Sequence, residues 1–174
     1  VTAVRVAQAD GDGTVDIDES MADLVAEVFR AGIDTNGSCQ DAASSVADLL
    51  VDLPHLGRYV ESRRDRAYLQ FPNRRSMVDF HEAVALGGLR DELYERMMHW
   101  AAPSAWTRTL SLIDEGDESD PPSEPSLDVS CYHVEFPFAD VAAITDRVRR
   151  FNRGEQVSHE PATWASVSLP SLEV

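Results

Sequence analysis

The sequence predicts an α+β fold in which an antiparallel or mixed sheet carries helices packed on one face. Segments with alternating apolar residues indicate strands, segments with apolar residues three and four positions apart indicate helices, and both kinds occur along the chain. A length of 174 residues with 43% apolar composition is enough for one core without disulfides or metal. We therefore expect a single compact α+β domain over residues 1–154.

The first elements are a predicted β-hairpin and a helix. Residues 4–6 and 15–17 alternate between apolar and charged side chains on either side of a Gly-rich turn. Asp18 is the predicted N-cap of the following helix, and Gly32 marks its end. The apolar residues of this helix recur at the spacing that places them on one helical face, and they are Met21, Leu24, Val25 and Val28.

The middle of the chain predicts strands that lead into helices. Residues 33–39 form a short predicted strand that runs into a Ser-Cys turn, and residues 41–52 form a helix that stops before Pro54. Residues 67–71 alternate as a strand, and the stripe of residues 77–84 indicates another helix, closed by two glycines.

The last third of the chain is predicted to contain two helices and two strands, together with a loop and a tail. Residues 114–128 contain seven acidic residues and almost nothing apolar, which is typical of a mobile surface loop. Residues 155–174 are a predicted irregular C-terminal tail. The remaining predicted elements are a helix at 93–101, strands at 106–113 and 129–136, and a final helix at 141–151.

Two segments of the chain resemble each other and suggest an internal duplication. Residues 68–72 and 133–137 each end a strand with Phe-Pro and lead into an amphipathic helix. Under this hypothesis the order helix, strand, insertion, strand, helix occurs twice, as two tandem ferredoxin-like α-β-β-α halves. The halves would span about residues 14–88 and 89–154.

The charge of the chain limits its partners and suggests a host. The net charge is −16, and all 15 cationic residues are arginines. An acidic, lysine-free chain argues against general nucleic-acid binding and favours a salt-adapted archaeon, a high-GC bacterium or its phage. Because no long apolar run and no secretory pattern are present, we expect no membrane association and a cytoplasmic protein, with both cysteines reduced.

The Gly-rich turn near the N-terminus overlays a calcium-binding loop. Asp10, Asp12 and Glu19 fall on three ligand positions of the twelve-residue EF-hand pattern, whereas Gln8 replaces its first acid. The alternative is a solvated hairpin turn with no ion, which accounts for the alternation on both sides. We expect no cofactor, with calcium here as one alternative.

Cys39 is the candidate nucleophile. Its predicted position between a strand and a helix start would lower the pKa of a thiol, and His55, His81 and His133 are candidate bases. The alternative is an inert, buried thiol. A third hypothesis is a zinc site made of Cys39, Cys131 and His133, since residues 131 and 133 share one face of a strand.

A cluster of cations in an acidic chain indicates a local anion site. Guanidinium groups bind phosphate and carboxylate through two parallel hydrogen bonds, so the cluster would hold a phosphorylated ligand or an acidic partner. The alternative is internal pairing with the surplus acids. The cluster consists of Arg58, Arg63, Arg64, Arg66, Arg74 and Arg75.

A family resemblance rests on the helix after Asp18, on Gly-Ile-x-Thr at residues 32–35, on Ser-Cys at 38–39 and on the aromatic strand 67–71. In these features the chain resembles small uncharacterised bacterial and phage proteins. Members often place Gly and His soon after the Cys, where this chain has Gln-Asp. The resemblance implies the fold and draws attention to Cys39.

These observations support three hypotheses of function. The first is a binding or regulatory module that takes a small anionic ligand or a protein partner at Cys39 and the arginine cluster. The second is a cysteine-dependent enzyme that uses Cys39. The third is an acidic inhibitor that mimics nucleic acid through its carboxylates. The sequence leaves the ligand and the oligomeric state open.

Overall fold

The computed structural model describes residues 3–8, 13–44, 47, 49–114 and 127–155. The strands are β1 (Ala3–Ala7), β2 (Thr14–Asp18), β3 (Gly37–Cys39), β4 (Arg66–Phe71), β5 (Thr107–Asp114) and β6 (Leu127–Pro137). The helices are α1 (Glu19–Arg30), α2 (Leu49–Asp52), α3 (Gly57–Glu61), α4 (Arg74–Ala85), α5 (Glu92–Met98) and α6 (Val141–Asn152).

The predicted N-terminal hairpin and helix are confirmed. Strands β1 and β2 pair antiparallel, with Val6 opposite Val15, and α1 follows at once. Asp18 precedes the helix, but its side chain does not cap α1, because the carboxylate instead accepts a hydrogen bond from the Gln40 backbone N–H at 3.2 Å. Asp18 therefore ties the start of α1 to the segment that follows β3.

A four-stranded sheet forms the centre of the molecule. Its order is β3-β4-β6-β5, and every neighbouring pair is antiparallel. The α+β prediction is therefore confirmed, with two separate antiparallel sheets. Strands β4 and β6 lie in the middle, and β3 and β5 lie at the two ends.

The core lies between this sheet and the helices α1, α4, α5 and α6. Alternation along β4 buries Ala67, Leu69 and Phe71 completely, while their neighbours point to the opposite face. Helix α6 contacts both α1 and α4, and α5 contributes Leu93 and Met97 to the same core. We call the opposite side of the sheet the outer face.

The order of elements repeats within the sheet and its helices. Helix α1, strands β3 and β4 and helix α4 form one α-β-β-α series, and α5, β5, β6 and α6 form the second. The inner strands β4 and β6 meet at the middle of the sheet. A common origin of the two series stays a prediction.

Several predicted boundaries were wrong. The helix expected over 41–52 is described only at 49–52, because residues 41–44 form turns instead. The helix expected to reach residue 101 ends at Met98, and Trp100 is almost fully exposed. Strand β5 continues to residue 114 and β6 begins at 127, so both ends of the predicted loop belong to strands. The rest of that loop and the predicted tail beyond residue 155 lie outside the described residues.

Within the residues that the structure describes, no helix combines the length and the apolar character needed to cross a bilayer.

Candidate functional site

The outer face of the sheet contains several of the residues singled out from the sequence. Cys39 pairs with Tyr68, and Tyr68 pairs with Glu135, so these three side chains share one row and one face. His133 lies two residues from Glu135 on the same face, and its ring is 5.7 Å from that of Tyr68. The topology thus brings three distant segments together.

A buried carboxylate organises this face. Glu135 is 5% exposed and forms an ion pair with Arg63, whose guanidinium also donates to the Tyr59 hydroxyl. Arg66 donates to the backbone carbonyl oxygens of Glu135 at 3.1 Å and Ala105 at 3.0 Å. Burial lowers the pKa of Arg66, Glu135 opposes this effect, and Arg63 adds to it. The two arginines therefore complement a charge of the protein itself.

The structure does not bring the six clustered arginines into one ligand patch. Arg63 and Arg66 face Glu135, whereas Arg64 pairs with Glu61 at 2.5 Å and Arg75 with Asp79 at 2.8 Å. These pairs match the alternative of internal pairing. Only Arg58 and Arg74 of the cluster have no ion pair with any described residue, and both are exposed.

Cys39 lies in a strand, which corrects its predicted place in a turn between a strand and a helix, and no helix begins at residue 41. Cys39 is the last residue of β3, and its thiol donates to the Asp41 carbonyl oxygen at 3.2 Å. His133 lies two strands across the sheet and two residues along the strand from Cys39, which separates their Cα atoms by about 12 Å. No described imidazole hydrogen-bonds to the Cys39 thiol. The hypothesis of a nucleophilic Cys39 stays a prediction.

The three residues of the zinc hypothesis do not meet. Cys131 Sγ lies 3.1 Å from His133 Nε2, but Cys39 is about 16 Å from Cys131, given two strand spacings and four residues along the strand. Neither cysteine forms a disulfide. The described residues contain no group of three or more His, Cys, Asp or Glu side chains that could hold a metal ion. Burial lowers the pKa of His133, and Arg63 adds to this effect.

The predicted calcium ligands Asp10 and Asp12 lie outside the described residues, and Glu19 is an exposed residue at the start of α1. The segment that enters the turn is strand β1. An EF-hand requires a helix there, so the helix-loop-helix framework of that motif is absent from residues 3–8 and 13–30.

On the helical side of the sheet, a groove opens between α4, α5 and β5. It has a volume of about 660 Å³ and is mainly apolar, which falls within the range of small-ligand sites. We call it the α4–α5 groove. Its walls include Met77, Val78, His81, Met97, Met98 and Arg108.

Hydrogen bonds fix His81 and Arg108 in this groove. Arg108 Nε–H donates to His81 Nε2 at 2.9 Å, and because a guanidinium can only donate, that imidazole nitrogen must be an acceptor. The imidazole proton therefore resides on Nδ1, which donates to the Met77 carbonyl oxygen at 2.7 Å. Burial lowers the pKa of His81 to about 4, the bond to Met77 opposes this, and Arg108 adds to it. His81 is neutral at pH 7.

Arg108 differs from the arginines of the outer face because it has no carboxylate partner. Its second hydrogen bond, from Nη2, goes to the Met97 carbonyl oxygen at 2.6 Å. No described carboxylate forms an ion pair with it, and burial lowers its pKa. A guanidinium has five N–H donors, so several remain available to a ligand. The groove thus combines apolar walls with an exposed cation that has no ion pair with any described residue.

Sequence reasoning missed Arg108, although a signal was present. Trp106, Arg108 and Leu110 alternate with Thr107 and Thr109, so the strand pattern places Arg108 on the apolar side of β5. An arginine on that side of the strand interrupts the apolar pattern, and this interruption is the signal. The clustered arginines drew attention because of their number, whereas Arg108 stands out because of its place in the pattern.

Comparison with known proteins gave no match of statistical significance, whether with family models, with curated proteins or with solved structures.

Proposed function

We propose that the protein is a binding module whose ligand joins an apolar body to a single anionic group and occupies the α4–α5 groove. The observation that carries this proposal is the Arg108 guanidinium, which lines an apolar groove without any described carboxylate partner. Arg108 is exposed, so its remaining N–H donors are accessible to a ligand. A ligand carboxylate could accept two parallel hydrogen bonds from them.

The charges around the groove favour a monoanion. Arg108 is the one cation among the described lining residues, and His81 is neutral at pH 7. Glu82 also lines the groove and would repel a second negative charge. A carboxylate therefore fits better than a doubly charged phosphate. Methionine side chains on both walls adapt to apolar groups of different shape.

Titration with octanoate tests the proposal, with octanol as the neutral counterpart. We expect octanoate to shift the amide NMR signals of residues 77–82, 97–98 and 108 in the full chain. Octanol should bind at least tenfold more weakly, since it cannot accept a two-pronged hydrogen bond from Arg108. Equal affinity for octanoate and octanol would overturn the proposal.

Substitutions locate the anion-binding group. Arg108→Met should weaken octanoate binding at least tenfold, and Arg108→Lys should weaken it less, because lysine keeps the charge but loses the planar fork. Arg58→Met is the matched control, because Arg58 is also an arginine without a described ion pair but is not among the residues that line the groove. Its octanoate affinity should equal that of the parent protein.

We further propose that the protein works in the cytoplasm. The support is that neither cysteine is bridged, as expected in a reducing compartment. Fractionation of the producing cells would test this, and recovery of the protein outside the cytoplasm would contradict it.

A further inference from the structure

Strand β5 is a sheet edge that borders the α4–α5 groove. Among the described strands, only β6 pairs with it, so every second residue of the regular stretch 107–111 directs its backbone N–H and C=O away from the sheet. The register shifts between Ser111 and Leu112. A strand edge that no other described strand covers is a template for another strand. This edge therefore offers backbone hydrogen bonds beside the groove.

In the first half of β5, Arg108 and Leu110 face the helical side of the sheet. Arg108 lies opposite Val134, and Leu110 lies opposite Tyr132, two residues further along. Leu110 is 56% exposed, so the apolar surface of the groove continues along this strand. Equivalent positions on one strand face are about 7 Å apart. A ligand that follows the edge would meet a cation and an apolar side chain in turn.

We propose that the ligand of the groove is an extended peptide segment that adds to the free edge of β5. The proposal rests on the proposed function, since it names the molecule that brings the carboxylate to Arg108. An Asp or Glu of the peptide pairs with Arg108, and an apolar residue two positions away covers Leu110. Backbone hydrogen bonds to β5 give affinity, and these alternate side chains give specificity.

The net charge of the protein favours a peptide over a second copy of the chain as the strand that pairs with β5. Each copy carries a net charge of −16, so pairing two β5 edges would bring two strongly like-charged molecules together. A peptide with one carboxylate meets far less repulsion and compensates Arg108. The exposed Thr107 and Thr109 on the other side of β5 are uncharged, so that side of the peptide needs no charge.

The test uses the full chain and the capped peptide Thr-Val-Thr-Glu-Thr-Val-Thr. It places Val two residues on either side of Glu, so both strand directions satisfy the spacing. We expect binding to shift the NMR signals of residues 107–114 and to slow hydrogen exchange of the outward amides of β5. Replacing the peptide Glu by Gln, or making Arg108→Met in the protein, should weaken binding at least tenfold.

Backbone methylation of the peptide separates strand addition from binding by side chains alone. A peptide methylated at alternate backbone nitrogens keeps its side chains but loses the donors that face β5, so its affinity should fall at least tenfold. Equal binding of the methylated and unmethylated peptides would overturn the inference. Binding that survives Arg108→Met unchanged would overturn it as well.

The octanoate titration separates failure of this inference from failure of the proposed function. If octanoate binds through Arg108 and the peptide does not bind, a small molecule is the occupant, and only the peptide inference is overturned. If the binding of octanoate and the binding of the peptide are both independent of Arg108, the proposed function and the peptide inference are both overturned. A dimer in analytical ultracentrifugation whose β5 amides are protected without peptide would show that a second copy covers the edge, which also overturns the inference.

Discussion

Arginines on the two sides of the central sheet meet opposite electrostatic conditions. On the outer face, Arg63 and Arg66 surround the buried Glu135 and are held by the protein's own charge. In the α4–α5 groove, the hydrogen bonds of Arg108 to described residues go to a neutral imidazole and a backbone carbonyl. The first arrangement pairs its cations with a carboxylate of the protein, and the second leaves N–H donors available to a ligand. An arginine without a counter-ion is therefore a better candidate for an anion site than an arginine cluster.

The largest expected effect concerns the outer face. Glu135→Gln leaves Arg63 and Arg66 without their buried counter-charge, which should lower the free energy of unfolding by about 3–5 kcal/mol. Urea unfolding followed by circular dichroism measures this change. Glu92→Gln is the control, because Glu92 is a 96% exposed carboxylate and should change stability by no more than about 0.5 kcal/mol. A Glu135→Gln protein as stable as the control would show that the outer arginines need no counter-charge.

The second effect concerns pH and His81. The pKa of His81 is about 4 in the folded protein and about 6.5 in an unfolded chain, so the unfolded state takes up the proton first. Stability should therefore be unaffected by His81 above pH 6.5 and should fall by about 3 kcal/mol as the pH decreases from 6.5 to 4. His81→Gln should remove that part of the pH dependence. Parallel curves of unfolding free energy against pH for parent and variant would refute this account of His81.

The third effect compares the two kinds of arginine directly. Arg63→Met removes one charged hydrogen bond from the buried Glu135 and should destabilise the protein by about 2 kcal/mol. Arg108 is exposed and its two hydrogen bonds lie near the surface, so Arg108→Met should change stability by no more than about 1 kcal/mol. Urea unfolding at pH 7 checks both values. An Arg108 variant that is the less stable of the two would assign Arg108 a structural role.

The smallest effect is that of salt. Surplus carboxylates repel one another in the folded protein, and added salt screens this repulsion. The melting temperature should therefore rise by a few degrees as NaCl increases from dilute buffer to moderate ionic strength. A melting temperature that does not change with salt would remove the argument for a salt-adapted host.

The sequence predicted the fold better than the site. Alternation in residues 67–71 and helical spacing in residues 77–84 record which side chains face the core, and the structure follows both patterns. Charge pairing leaves no such record, because Arg63 and Glu135 are 72 residues apart and meet only through the register of β4 with β6. Cys39 was predicted in a turn just before a helix for a similar reason. The turn after it is held by contacts with distant segments, such as Asp18, which no local pattern reveals.

The most direct test measures octanoate affinity in the Arg63→Met and Arg108→Met proteins by calorimetric titration at pH 7. If Arg108 is the ligand-binding cation, Arg108→Met binds octanoate at least tenfold more weakly than the parent. Arg63→Met then keeps the parent affinity in its folded molecules despite its lower stability. An Arg108→Met protein that binds octanoate as tightly as the parent would contradict the account.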